Sequence, residues 1–207
     1  MTQLVNGMTP DDIRSAVAEQ YGRVARQPDG QHPFPVGRTF AESLGYPPDV
    51  LDSLPRSAVD AFAGISYPLT HANLQPGETV LDLGCGAGMD TILIARQVGP
   101  TGCVHSLDLS ADMLESARAN VAVAGFDNVT FHQTLAEDIP LSEGSIDAVI
   151  INGILNLCPT KGTVVNEVYR VLRPGGRLLV SEIVLHVPDD EEWIGETCGL
   201  TLDDWFQ

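Results

Sequence analysis

Basic residues are scarce in this chain. Lys and Arg number 11 among 207 residues, against 28 Asp plus Glu, for a formal charge of −17 at pH 7. No run of Lys and Arg interrupts that acidity, so the surface repels phosphate backbones and nucleic acid is excluded as a partner. The same charge suits a cationic ligand, or simply a solvated acidic surface. No apolar stretch approaches the ~20 residues of a membrane span. The opening MTQLVNGMTPDDIR also lacks the basic-then-apolar order of a signal peptide. Cysteine is rare as well. Its four copies, at 85, 103, 158 and 198, form neither a C-x-x-C pair nor a zinc spacing. A disulfide framework and a metal site are therefore not expected, and a reducing compartment is the simpler reading. These absences together predict a soluble, cytoplasmic protein. Aromatics are few at 6%, yet hydrophobic residues make up 43%. A chain of this length buries roughly 70% of its unfolded surface, which supports one domain with its own core.

Two compositional zones are visible. Residues 1 to 75 hold most of the prolines and no convincing strand. Thr9 followed by Pro10, Asp11 and Asp12 reads as an N-cap, a first-turn proline and acids at the positive end of a helix dipole. Ile13, Val17, Tyr21 and Val24 recur at helical spacing, which predicts an amphipathic helix to about Ala25. A loop over 26–37 and short helices over 48–54 and 56–63 follow. This first zone is expected to form a helical lid or packing layer. From Gly77 the pattern changes to β-branched strand candidates at 79–83, 103–109, 128–133, 146–152 and 177–185. Helical patterns at 90–98, 111–124 and about 160–172 lie between them. That alternation predicts a doubly wound, mostly parallel α/β sheet covered on both faces.

LDLGCGAGMD (81–90) closes the first strand with Gly84, Gly86 and Gly88 and then enters a helix. Glycines permit the sharp turn and let a ligand approach main-chain N–H groups. The G-x-G-x-G spacing is not the dinucleotide G-x-G-x-x-G, which weakens the case for NAD. Asp108, 20 residues beyond Gly88, ends the second strand, where a carboxylate can accept both hydroxyls of a ribose lying across the glycine loop. It could equally be a helix N-terminal acid ahead of Ser110.

The loop LDLGCGAG, the segment DLSADML (108–114), LAEDIP (135–140) and RVLRPGGRLLVSEIV (170–184) resemble, in order and spacing, the class I S-adenosylmethionine-dependent methyltransferases. The resemblance implies a Rossmann-like core over 76–185, with S-adenosyl-L-methionine as cofactor and S-adenosyl-L-homocysteine as product. It places Asp82 and the loop of Gly84, Cys85, Gly86 and Gly88 at the methionine end. Asp108 would hold the ribose, and Leu109 would lie against the adenine. Ala136 and Glu137 would sit at the adenine edge, and Asn152 at the reacting end. Many members of the class carry an acid where this chain has Leu135.

The stretches 43–90 and 152–178, with Tyr21-Gly22 over the cofactor, are most similar to the arsenite methyltransferase family. Trivalent arsenic needs several soft thiolates, and that family supplies them from separated cysteines. Here the segment after Tyr21-Gly22 has none before Cys85, and Gly153 stands where the family has cysteine. Only Cys198 falls where a family thiol would lie. Ser66 and Tyr67 replace the family's glycine and asparagine on a loop expected to border the active site. Tyr67, Gly153 and Cys198 are thus the substrate-side candidates. The pattern predicts a methyltransferase for a small organic molecule, with arsenite as the alternative acceptor. A cofactor-binding subunit without turnover, supporting a partner enzyme, is the reading of another kind.

In-line methyl transfer demands alignment more than a catalytic constellation. A general base could be His186 or a carboxylate from 189–192. Residues 186–207 form a short tail after the fifth strand, too short for the antiparallel hairpin that usually closes such sheets. The fifth strand is then expected to leave an apolar edge, covered in a homodimer or by a distinct partner chain.

Overall fold

The structure, a computed structural model, describes residues 8–184. The 103–108, 129–133 and 146–152 stretches and TVLDL (79–83) are strands, as their β-branched, apolar composition predicts. In chain order the elements are α1 (Pro10–Arg26), α2 (Arg38–Ser43), α3 (Pro48–Asp52), α4 (Arg56–Asp60), α5 (Leu69–Ala72), β1 (Thr79–Leu83), α6 (Met89–Val98), β2 (Cys103–Asp108), α7 (Ala111–Ala124), β3 (Val129–Gln133), β4 (Ile146–Asn152), α8 (Lys161–Val171) and β5 (Leu172–Ser181). One 3₁₀ turn, Leu155–Leu157, precedes α8. No helix among the described residues is long and apolar enough to cross a membrane.

The strands form one all-parallel sheet in the order β3-β2-β1-β4-β5. The chain enters at β1, winds outward to β3, then crosses back to β4. A switch point therefore lies between β1 and β4, where a doubly wound sheet opens a crevice beyond its strand ends. Central strands are apolar at nearly every position because both faces are covered. On one face Val80, Val104, Ala148 and Ile150 pack with Ile92, Leu93 and Val98 of α6. On the other, Leu81, Leu83, Val149 and Ile151 pack with Val164, Val168 and Val171 of α8. Tyr46, Leu51, Ala58, Phe62 and Leu69 of the N-terminal helical zone belong to the first of these clusters.

Local signals explain the helix ends. Thr9 caps α1 in a reciprocal box: its side chain accepts from the Asp12 N–H, and the Asp12 carboxylate accepts from the Thr9 N–H. Ser110 caps α7 by accepting from Met113 N–H, and Gly125, at φ +79°, ends it. Two helices, α2 and α5, fall where no periodicity announced them; they are 6 and 4 residues long, too short for a pattern to register.

The fifth strand departs from expectation. It begins at Leu172 and ends at Ser181 instead of running 177–185. Leu172 already pairs with Ile146, and pairing resumes at Arg177 opposite Ala148, with a register irregularity between them. The Pro174-Gly175-Gly176 turn therefore interrupts a strand; it does not precede one, and Gly175 takes φ +81° to do so. The strand stops at Ser181 because its partner β4 stops at Asn152, the residue paired with it. Leu185 lies outside the described residues.

Candidate functional site

The C-terminal ends of β1, β2, β3 and β4 open onto one cavity, and α1 lies across it. It holds about 1060 Å³ of empty space, its open mouth included. Three glycines shape the loop beneath it, two of them on its wall. Gly84, Gly86 and Gly88 sit at φ +83°, +51° and +87°, a region costly for residues with a Cβ. Gly88 caps α6, and a Cβ there would press on Ala117 at 3.2 Å. A Cβ at Gly84 would collide with the Ile154 side chain.

Asp82, Gly84, Cys85 and Gly86 line the cavity from β1 and its loop, Asp108 and Leu109 from the end of β2, and Ala136 and Glu137 from the loop after β3. Asn152 and Gly153 line it from the end of β4, and Tyr21 from α1. Gly88 is not part of the lining. Neither is Tyr67, which stacks on Tyr46 with ring centroids 4.1 Å apart. His186, Cys198 and the acidic run 189–192 lie outside the described residues.

Three carboxylates dominate the electrostatics. Asp82 is buried; one of its oxygens accepts from Thr91 Oγ1, and burial followed by the charges of Asp90 and Asp108 pushes its pKa up to about 7. Asp90 accepts from Tyr46 OH at 2.6 Å and Asn152 Nδ2 at 3.0 Å, and burial raises its pKa as well. Asp108 accepts from the Gly86 N–H at 2.9 Å and the Ser110 N–H at 2.8 Å. Burial raises its pKa against the pull of those donors. Asp108 thus braces the glycine loop and starts α7 while also walling the cavity, so the two readings of this residue are compatible. Arg14 is the single Lys or Arg among the described lining residues, and both its bonded nitrogens are committed to carboxylates.

Three features escaped sequence reasoning. Tyr46 and Asp90 form one: Asp90 stands inside the glycine motif, but nothing local to Tyr46 marks it as its partner 44 residues away. The second is the Asn152 amide. It accepts from the Ile65 and Ser66 N–H groups and donates to Ser66 O and Asp90. It thus ties the 64–66 loop to the cavity's edge. The third is Arg14, which shares a helical face with Val17, Ala18 and Tyr21; that spacing was a usable signal.

Burial and nearby acids hold the cavity thiols protonated. Cys85 is pushed well above the ordinary thiol range, and Cys158 up to about 12. Cys103 faces elsewhere, near His105.

The methyltransferase-domain family matches residues 74–201, well over half of the chain. The chain belongs to that family. Its sheet and crossovers are those of the Rossmann-like class I methyltransferases. An arsenite methyltransferase of Halobacterium salinarum is 43% identical over 148 residues, 72% of this chain and 38% of that protein. A demethylmenaquinone methyltransferase of Lactococcus lactis is 42% identical over 106 residues, 51% of this chain and 42% of its own. Among solved structures, an arsenic(III) S-adenosylmethionine methyltransferase from Chlamydomonas reinhardtii superimposes with a TM-score of 0.55 at 33% identity, covering 72% of this chain and 50% of that one. The chain spans 38% and 42% of the lengths of the two curated relatives.

The residues present fit S-adenosylmethionine. The cofactor carries a sulfonium and an ammonium, and the cavity offers the buried Asp82 and Asp90 and the half-buried Asp108, none of them ion-paired with a Lys or Arg among the described residues. The positive-φ glycines leave main-chain space where a side chain would intrude.

Proposed function

We propose that this chain is an S-adenosylmethionine-dependent methyltransferase acting on a small organic molecule. The observation that carries the reading is the cavity at the sheet's switch point, which joins a positive-φ glycine loop to Asp82 and Asp108. When bound, the cofactor supplies an activated methyl group and its own leaving group. The chain's residues then bind, align and exclude water. Asp108 accepts from the ribose hydroxyls, and Asp82 offers a carboxylate to the cationic methionine end. The Ala136 N–H and the Glu137 carboxylate meet the adenine, with Leu109 against its face. Tyr21 on α1 covers the cofactor, making the N-terminal helical zone a lid over the 76–185 core. Asn152 and Gly153 border the reacting end, where Phe62, Ile154 and Leu157 keep the surroundings apolar.

Arsenite is the second reading, favoured by the 43% identity to the Halobacterium enzyme. Against it stands the placement of the thiols: Gly153 occupies the loop position where that family has cysteine. The curated relatives are named as enzymes, so a silent supporting subunit is not the reading adopted. We also propose that a second chain, a copy or a distinct partner, covers the β5 edge. Calorimetry with S-adenosylmethionine, followed by transfer of a labelled methyl group to a panel of thiols, phenols, quinols and arsenite, tests the function. Absence of cofactor binding would overturn it.

A further inference from the structure

Of the three aspartates in the cavity wall, Asp82 answers the methionine end of the cofactor and Asp108 its ribose. Asp90 has no role in that reading, yet it lines the same cavity from the start of α6. Its carboxylate accepts from Tyr46 OH on Oδ1 at 2.6 Å and from Asn152 Nδ2 on Oδ2 at 3.0 Å. These donors favour the charged form against burial. Both are uncharged, and no Lys or Arg is ion-paired with Asp90 among the described residues. The bonds therefore stabilise a negative charge without neutralising it. Asn152 fixes where that charge lies. Its amide is held by the Ile65 and Ser66 N–H groups and by Ser66 O, which aims Nδ2 at Asp90 as well. Asp90 thus stands beside the residue assigned to the reacting end.

We propose that Asp90 is a specificity-determining residue whose carboxylate is the counter-charge for the sulfonium, so that the cavity prefers S-adenosylmethionine to S-adenosylhomocysteine. The inference rests on the cofactor reading above. Cofactor and product share the ammonium, and only the cofactor has a positive charge on sulfur. A carboxylate at the ammonium acts on both ligands alike, whereas one near the sulfur acts on the cofactor alone. Coulombic attraction needs no direct contact. It falls off only inversely with distance and is weakly screened in a cavity walled by Phe62, Met89 and Ile154. Loss of the charge on methyl transfer then loosens the hold of the site on its product.

The test is calorimetric titration of the full chain, without a methyl acceptor, against three ligands. These are S-adenosylmethionine, S-adenosylhomocysteine and sinefungin, in which an amine-bearing carbon restores a positive charge in place of the sulfonium. Wild type should bind both cationic ligands about tenfold or more tightly than S-adenosylhomocysteine. In D90N that advantage should shrink to roughly threefold or less, through weaker binding of the two cationic ligands. D82N should weaken all three by a similar factor and leave the advantage in place. A purely structural effect of D90N would weaken S-adenosylhomocysteine as much as the others. The wild-type ratio tests the proposal even if D90N folds poorly. Equal wild-type affinities for cofactor and product, or a D90N protein that keeps the wild-type ratio, overturns the inference alone. So does a D82N protein that loses the ratio as D90N does. Wild type binding none of the three ligands removes the cofactor reading and the inference with it.

Discussion

Asp82 sits at the end of β1 with Thr91 on one oxygen and with Asp90 and Asp108 nearby in the cavity wall. Its folded pKa of about 7 lies above the ordinary 3.8. Between those values the folded chain holds a proton that the unfolded chain has released, so ligand-free stability falls as pH rises through that window. A cationic cofactor reverses the preference, and its affinity should rise from pH 6 to pH 8. Asp82→Asn should flatten both trends in melting and titration curves. For Asp108→Ala, cofactor affinity should drop by about 1.5–3 kcal/mol; unchanged calorimetric affinity would remove the ribose assignment. The thiols lead to a third expectation. Cys158 stays protonated at neutral pH, and a protonated thiol is a poor arsenic ligand. Arsenite methylation should be absent or very slow. Robust methylated arsenic, lost on Cys198→Ser, would reverse that.

Among elements, the β4 terminus and the loop 64–66 act as a unit. The Asn152 amide satisfies two loop N–H groups, one loop carbonyl and Asp90. A Cβ on Gly64 would come within 2.5 Å of its Nδ2. Asn152→Ala leaves those groups unpaired and should cost about 1–3 kcal/mol in denaturant unfolding. It should also raise the KM for the methyl acceptor more than it weakens cofactor binding, since the loop is tied to Asn152, which is proposed to border the reacting end. Elements with strong local chemistry were legible beforehand: the Thr9 box that starts α1, the Ser110 cap of α7 and the glycine turn before α6. Leu172 was not, because its strand pairing with Ile146 depends on a partner 26 residues earlier.

For the whole molecule, the parallel sheet has two edges among the described residues, β3 and β5. On β5, Leu178 and Val180 are 42% and 43% exposed, and Ile183 just beyond is 58% exposed. Apolar edges of this kind favour association. Static light scattering at micromolar concentration should therefore report a dimer, or a monomer that gains mass when its partner is added. A monomer with slow amide exchange along 178–181 and no such gain would defeat the proposal.

The sequence by itself determined the parallel α/β class, because strands buried on both faces must be apolar throughout and helices between them must return the chain in one direction. It also determined the glycine loop and Asp108, whose chemistry is local: a positive φ needs glycine, and a carboxylate at a strand end needs only its position. Only the tertiary structure decided which distant groups meet. Tyr46 with Asp90, Arg14 with Glu137, and Asn152 with the 64–66 loop are separated by 44, 123 and 86 or 87 residues. Such pairings depend on how the N-terminal helices settle on the sheet. Periodicity shows that a helix has a buried face, but the packing of neighbouring layers selects which polar side chain on that face finds a partner.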